Sequence, residues 1–123
     1  MNVSNRLVTL PSGWRMPCVG FGTAGLGSRT QDAVRMALDA GYTLLDSAQA
    51  REWYREDMVG AAIRDAGVPR HSLFLVSKIH PRHLGFDSTA ARMEVSLNEL
   101  GTHYLDLMLL VRCTDAEGNL WHC

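Results

Sequence analysis

The feature that most constrains the fold is a repeating order of short apolar run and amphipathic segment. Tyr42-Thr-Leu-Leu-Asp46, Leu73-Phe-Leu-Val-Ser-Lys78 and Tyr104 to Leu110 are nearly continuous apolar runs, the pattern of strands covered on both faces. Between them the apolar positions recur at helical spacing. Ala33, Val34, Ala37 and Leu38 follow Thr30, read as an N-cap, and stop at Gly41. Met58, Val59, Ala62, Ile63 and Ala66 share one face until Gly67 and Pro69. Ala90, Met93, Leu97 and Leu100 line a third helix, capped by Asp87 or Ser88 and ended by Gly101. A further apolar run, Cys18 to Phe21, precedes the first helix, and Leu7 to Leu10 and Trp14 to Pro17 flank the turn Pro11-Ser-Gly13 as a small hairpin. A hairpin followed by β-α-β-α-β-α-β predicts an α/β fold: an N-terminal hairpin, about four parallel strands and three helices.

The chain has 123 residues, room for one domain, and its 46% hydrophobic content can fill a core. Twelve Lys and Arg against 13 Asp and Glu leave a formal charge of -1, no field to draw it to nucleic acid or an anionic membrane. Tyr104 to Val111 is interrupted by Asp106 and falls short of the roughly 20 residues of a membrane span, and the N-terminus leads into no apolar leader. Cys18, Cys113 and Cys123 are odd in number and far apart, as reduced thiols are. The expectation is a cytoplasmic protein with neither nucleic acid nor membrane as partner. Cys113, His122 and Cys123 lack the paired spacing of a zinc site, so no metal is expected.

Gly20-Phe-Gly22-Thr-Ala-Gly25 matches G-x-G-x-x-G after a strand, and Asp46 ends the next strand. That combination points to a small Rossmann domain binding NAD, with Asp46 on the ribose. However, Leu26-Gly-Ser-Arg29 separate the last glycine from the helix start at Thr30, whereas the fingerprint needs that glycine at the helix mouth.

A set of linked segments gives a more specific resemblance. Val8-Thr-Leu-Pro-Ser-Gly-Trp-Arg-Met-Pro17 before Val19-Gly-Phe-Gly-Thr23, Ala37-Leu-Asp-Ala-Gly-Tyr42 before Leu45-Asp-Ser-Ala48, Gly67-Val-Pro-Arg70 before Leu73 to Lys78, and Ser96-Leu-Asn-Glu-Leu-Gly101 before Tyr104-Leu-Asp-Leu107 resemble the aldo-keto reductases in order and spacing. The resemblance implies a (β/α)8 barrel with the hairpin at its base and the site at the C-terminal strand ends. It also implies reduction of aldehydes and ketones with NADPH. Hydride reaches the carbonyl carbon, and a tyrosine protonates the oxygen, assisted by a lysine that an aspartate holds.

By that resemblance Asp46 is the aspartate and Lys78 the lysine, and Gly22 and Thr23 lie with Asp46 where the nicotinamide approaches. Two positions depart from it. The family's tyrosine follows its aspartate by five residues, where this chain has Arg51, and Tyr54 is the one candidate replacement. The family's histidine falls at Val111. His80 and His83 read as exposed loop histidines.

A whole barrel needs about 250 residues, so the reading is a partial barrel: residues 1–110 as an N-terminal half-barrel and 111–123 as a divergent, irregular tail, an alternative ending on a longer parent. The expected function is that of an aldo-keto reductase-like NADPH-dependent oxidoreductase domain, truncated and inactive as this chain, with a small carbonyl substrate only in a full-length form. The rival is a non-catalytic half-barrel that binds protein. Inward positions at Leu44, Leu75 and Val76 would lose their opposite wall, and the open sheet edge would self-associate or capture a partner.

Overall fold

The computed structural model describes residues 6–112. A hairpin comes first, β1 (Leu7–Thr9) pairing antiparallel with β2 (Arg15–Pro17). The remaining elements alternate: β3 (Phe21–Gly22), α1 (Thr30–Asp39), β4 (Leu44–Asp46), α2 (Glu56–Ala66), β5 (Phe74–Ile79), α3 (Phe86–Leu100) and β6 (Leu107–Leu110). The four later strands form one parallel sheet in the sequential order β3-β4-β5-β6. Leu7, Trp14, Arg15 and Pro17 of the hairpin line a cleft with Thr43, Leu73, Phe74 and Asp106, which puts the hairpin at the N-terminal end of the strands, as expected.

All three helices pack on one face of the sheet. Val34 of α1, Val59 and Ala62 of α2 and Leu100 of α3 close over Leu45, Leu73 and Leu75 in a single buried cluster. Strand alternation then turns Leu44, Asp46, Phe74, Val76 and Lys78 to the opposite face. Leu75 was expected on that inner face, but it is packed under the helices. The register Leu45↔Leu75 and Asp46↔Val76 decides it, since one residue of slip exchanges the faces. Of the inner positions expected to face water, Val76 is covered at 4% exposed, as is Phe74 on the same face at 5%. On β6, the last strand in the sheet order, Leu109 and Leu110 are 40% and 47% exposed.

Sequential order with helices on one side excludes the small Rossmann reading, which needs a crevice between oppositely wound halves. The glycines agree. A Cβ on Gly20 would stand 2.4 Å from Leu44 Cδ2, so its bare backbone accommodates a side chain, and α1 starts only after a turn at Gly27–Arg29.

Two caps differ from expectation. The Thr30 hydroxyl donates to Gly27 O instead of accepting from the helix, and Arg29 occupies the cap position. Ser88 donates to His83 O and Gly85 O, so α3 begins at Phe86 with neither Asp87 nor Ser88 as its cap. β6 starts later than Tyr104 because the Tyr104 carbonyl is taken by Arg70. Val111 follows β6, its N–H donating to Ile79 O. The rest of the expected tail, with Cys113, His122 and Cys123, lies outside the described residues. Among the described residues no helix is long and apolar enough to cross a membrane.

Candidate active site

The site forms at the C-terminal ends of β3, β4 and β5, where parallel pairing brings distant residues to one edge. Gly22 is opposite Asp46 in the register, and Lys78 lies one pleat beyond Val76, the partner of Asp46. The Lys78 Nζ donates to Asp46 Oδ2 at 2.7 Å and to Ser47 O at 2.9 Å. Its third direction faces an aromatic ring, with Nζ 5.0 Å from the centre of Tyr54, within cation–π range. The lysine side chain is 17% exposed against 35% for Asp46, so the charge pair sits at the mouth of the sheet and not within its core. Thr23 is completely buried and donates both its N–H and its hydroxyl to Asp46 O. Gly22 by contrast has open space where a Cβ would stand.

Strict spacing from Asp46 leads to Arg51, and that residue is directed away. Its guanidinium pairs with Glu99 on α3. The loop closes a turn in which Trp53 N–H and Tyr54 N–H both donate to Ala50 O. This turn takes up the residues between Ala50 and Tyr54 and delivers Tyr54 to Lys78. Gly25, with φ +70°, donates its N–H to Trp53 O and ties the first loop to the same turn. The missing signal was therefore loop geometry, which spacing alone does not contain.

At the histidine position Val111 is 39% exposed. His80 is held in the neighbouring loop, its Nε2 3.4 Å from a carboxylate oxygen of Glu52 and its Nδ1 accepting from Arg82 N–H. His83 is half-buried, and burial first, then Arg92, His80 and Arg82, hold its pKa below the usual histidine value.

Sequence reasoning missed a second cluster directly behind the first. Glu56, the first residue of α2, is 3% exposed and accepts from Ser77 Oγ at 2.5 Å and Ser96 Oγ at 2.7 Å. Ser96 in turn accepts from Gln49 Nε2 at 3.0 Å. An acid in a first helical turn reads as a dipole partner, and nothing in the spacing reveals its burial.

Burial pushes the Glu56 carboxyl above its usual 4.5, the hydroxyls of Ser77 and Ser96 pull it back, and the charge of Glu99 raises it further. Between the unfolded value and this raised folded value the native state binds the extra proton. Stability therefore declines as pH rises above about 4.5 through the folded value. Thermal unfolding followed against pH should show that decline flattened in Glu56→Gln, and an unchanged slope would refute the assignment.

Comparisons with known proteins bear on the family and the fold. Residues 18–116 match the model of the Aldo/keto reductase family. The chain is 38% identical over 112 residues to a 9,11-endoperoxide prostaglandin H2 reductase of Trypanosoma cruzi, covering 89% of this chain and 39% of that protein. It is 35% identical over 105 residues to a morphine 6-dehydrogenase of Pseudomonas putida, covering 85% of this chain and 35% of that one. Among solved structures, an aldo/keto reductase from Brucella melitensis superposes with a TM-score of 0.81 at 34% identity, over 87% of this chain and 41% of its own. A Bombyx mori aldo-keto reductase solved with NADP gives 0.82 at 25% identity, over 98% and 43%. The chain thus spans less than half the length of these relatives. With hairpin, sequential parallel strands and three helices in place, the fold is a partial (β/α)8 barrel, and the chain belongs to the aldo/keto reductase family.

Proposed function

We propose that this chain carries the proton-donating part of an NADPH-dependent carbonyl reductase, acting in the cytoplasm on a small aldehyde or ketone. The observation that carries this reading is the Lys78 ammonium, bonded to Asp46 and lying over the ring of Tyr54. NADPH, when bound, supplies hydride to the carbonyl carbon. Tyr54 gives its hydroxyl proton to the carbonyl oxygen, and Lys78 stabilises the phenolate left behind. Asp46 keeps the ammonium at that ring. The open space over Gly22, beside Asp46, fits the flat face of a nicotinamide. Thr23, wholly buried with its hydroxyl engaged, shapes the floor beneath. The relative solved with NADP supports the same cofactor.

Alone, this truncated chain is expected to turn over no carbonyl, so the test is NADPH consumption with an aromatic aldehyde by a full-length form that carries this half. Removing a positioned general acid costs roughly 10²- to 10⁴-fold, so Tyr54→Phe should lower the rate at least about 10²-fold while Arg51→Ala leaves it unchanged. Turnover that survives Tyr54→Phe would overturn the assignment.

A second reading has its own observation. Leu109 and Leu110 on β6 are exposed, and so are Leu84, Met93 and Phe86 at α3, the last 91% exposed. A non-catalytic half-barrel docking these groups on another polypeptide, or on a second copy, accounts for them. On that reading the chain sediments as a complex, and a full-length form that carries it reduces no carbonyl.

A further inference from the structure

We propose that Glu56 is a positioning residue, whose buried carboxylate fastens the loop carrying Tyr54 to the strand carrying Lys78. The proposal rests on the reading of Tyr54 as the proton donor, but its geometry is independent of turnover.

The loop between β4 and α2 is tied to β5 at both ends. At its start Gln49 N–H donates to Lys78 O at 3.1 Å. At its end Glu56 Oε1 accepts from the hydroxyl of Ser77, the residue before Lys78. The two ties are linked through α3. Glu56 Oε2 accepts from Ser96, and Ser96 accepts from Gln49 Nε2, which also donates to Arg92 O. Both oxygens of one carboxyl therefore close a ring through β5, α3 and the loop, and Tyr54 is carried between its two anchors.

Burial makes this ring demanding. Ser77 and Ser96 are completely buried, and Glu56 nearly so. A buried hydroxyl left without its acceptor costs about 1–3 kcal/mol, so neither oxygen can be vacated without the loop or α3 moving. The adjoining cavity, lined in part by Tyr54, Glu56 and Ser96, has a volume of about 10 Å³. That is room for one water at most, so the carboxyl reaches no ligand there. Its contacts are those of a clamp. A group displaced by about 1 Å can cost 10²-fold in rate, which is the reason such a clamp matters two residues from a proton donor.

The experiment is side-chain NMR on the intact chain, reading the nuclear Overhauser contact between the Tyr54 ring and the Lys78 ε-methylene, together with the ring-current shift of that methylene. Glu56→Ala should abolish the contact and move the methylene to the position of a free lysine, with the resonances of β4 and β5 and the cooperative melt retained. Glu56→Gln should preserve the contact, because the amide has the same reach and can still accept from one serine and donate to the other. If Glu56→Ala does not fold, Ser77→Ala cuts the tie to β5 alone and should weaken the contact in the same direction. A Tyr54–Lys78 contact that stays intact in the folded Ala variant, or in Ser77→Ala where the former is unfolded, overturns the proposal. Its absence from the unmodified protein does so as well. Failure of the carbonyl-reductase reading is seen elsewhere, as turnover indifferent to Tyr54→Phe. Where turnover is measurable, Glu56→Ala should lower kcat about 10²-fold with KM little changed.

Discussion

Gly60→Ala is expected to lower the stability of the fold by about 3 kcal/mol or more, at the top of the range for overpacking a core. Gly60 is buried where α2 crosses the end of α3. A Cβ there would stand 2.2 Å from Glu99 O and 2.9 Å from both C and Cα of Leu100. These are backbone atoms, so no rotamer change relieves the overlap and the last turn of α3 must shift. Leu100 belongs to the main buried cluster, and Glu99 holds Arg51, so a shift there is felt in the core and in the loop of the site. Melting followed by circular dichroism should fall by roughly 10 °C or more for a domain of this size. Gly22→Ala is the control, since open space surrounds that position, and its melting point should be unchanged. Equal melting of the Gly60 variant and the unmodified chain would refute the close-contact argument.

Asp106→Ala is expected to cost about 3 kcal/mol, because it strands two donors at once. Asp106 Oδ2 accepts from Arg70 Nη2 at 2.7 Å and from Leu75 N–H at 2.8 Å. The two side chains are only 21% and 11% exposed, and removing one partner of a largely buried pair leaves the other charge uncompensated. Arg70 joins the start of β6 to the turn before β5: it also donates to Thr102 Oγ1, Leu73 O and Tyr104 O, and its guanidinium lies 3.8 Å over the Tyr104 ring. Loss of the carboxylate should therefore loosen the N-terminal end of the β5–β6 pair first. Hydrogen exchange at the Leu75 amide, which donates to the Asp106 carboxylate, and at the Asp106 amide, which donates to Leu75 O, should accelerate well before exchange at Leu45. Denaturant unfolding with an unaltered midpoint would show that the pair contributes nothing net.

The Leu-Asp-Leu run around Asp106 helped to carry the family resemblance, yet in the structure that aspartate touches no part of the candidate site. Its function is to close a strand junction at the opposite end of the sheet. The same contrast applies to Asp46 and Lys78. Their pairing followed from strand order, because parallel neighbours with a short register difference must bring their C-terminal residues together. Tyr54 could be named from the sequence as a candidate, but its approach to Lys78 did not follow from spacing. Counting from Asp46 led to Arg51, and only the turn at Ala50–Tyr54 shows why the count fails there.

What the sequence by itself determined was the set of elements and their order: hairpin, four strands and three helices, while Asp46 and Lys78 were marked by the family resemblance. The elements are encoded locally, in the period of apolar residues and in the glycines that end helices, and each requires only a few neighbours along the chain to be legible. Tertiary structure decided the rest. Which face Leu75 takes depends on the register of β4 with β5, the burial of Glu56 depends on Ser77 and Ser96 arriving from two other elements, and the approach of Tyr54 to Lys78 depends on a loop tied at both ends. Each is set by contacts between residues far apart in sequence, and spacing along the chain carries no record of where a loop returns.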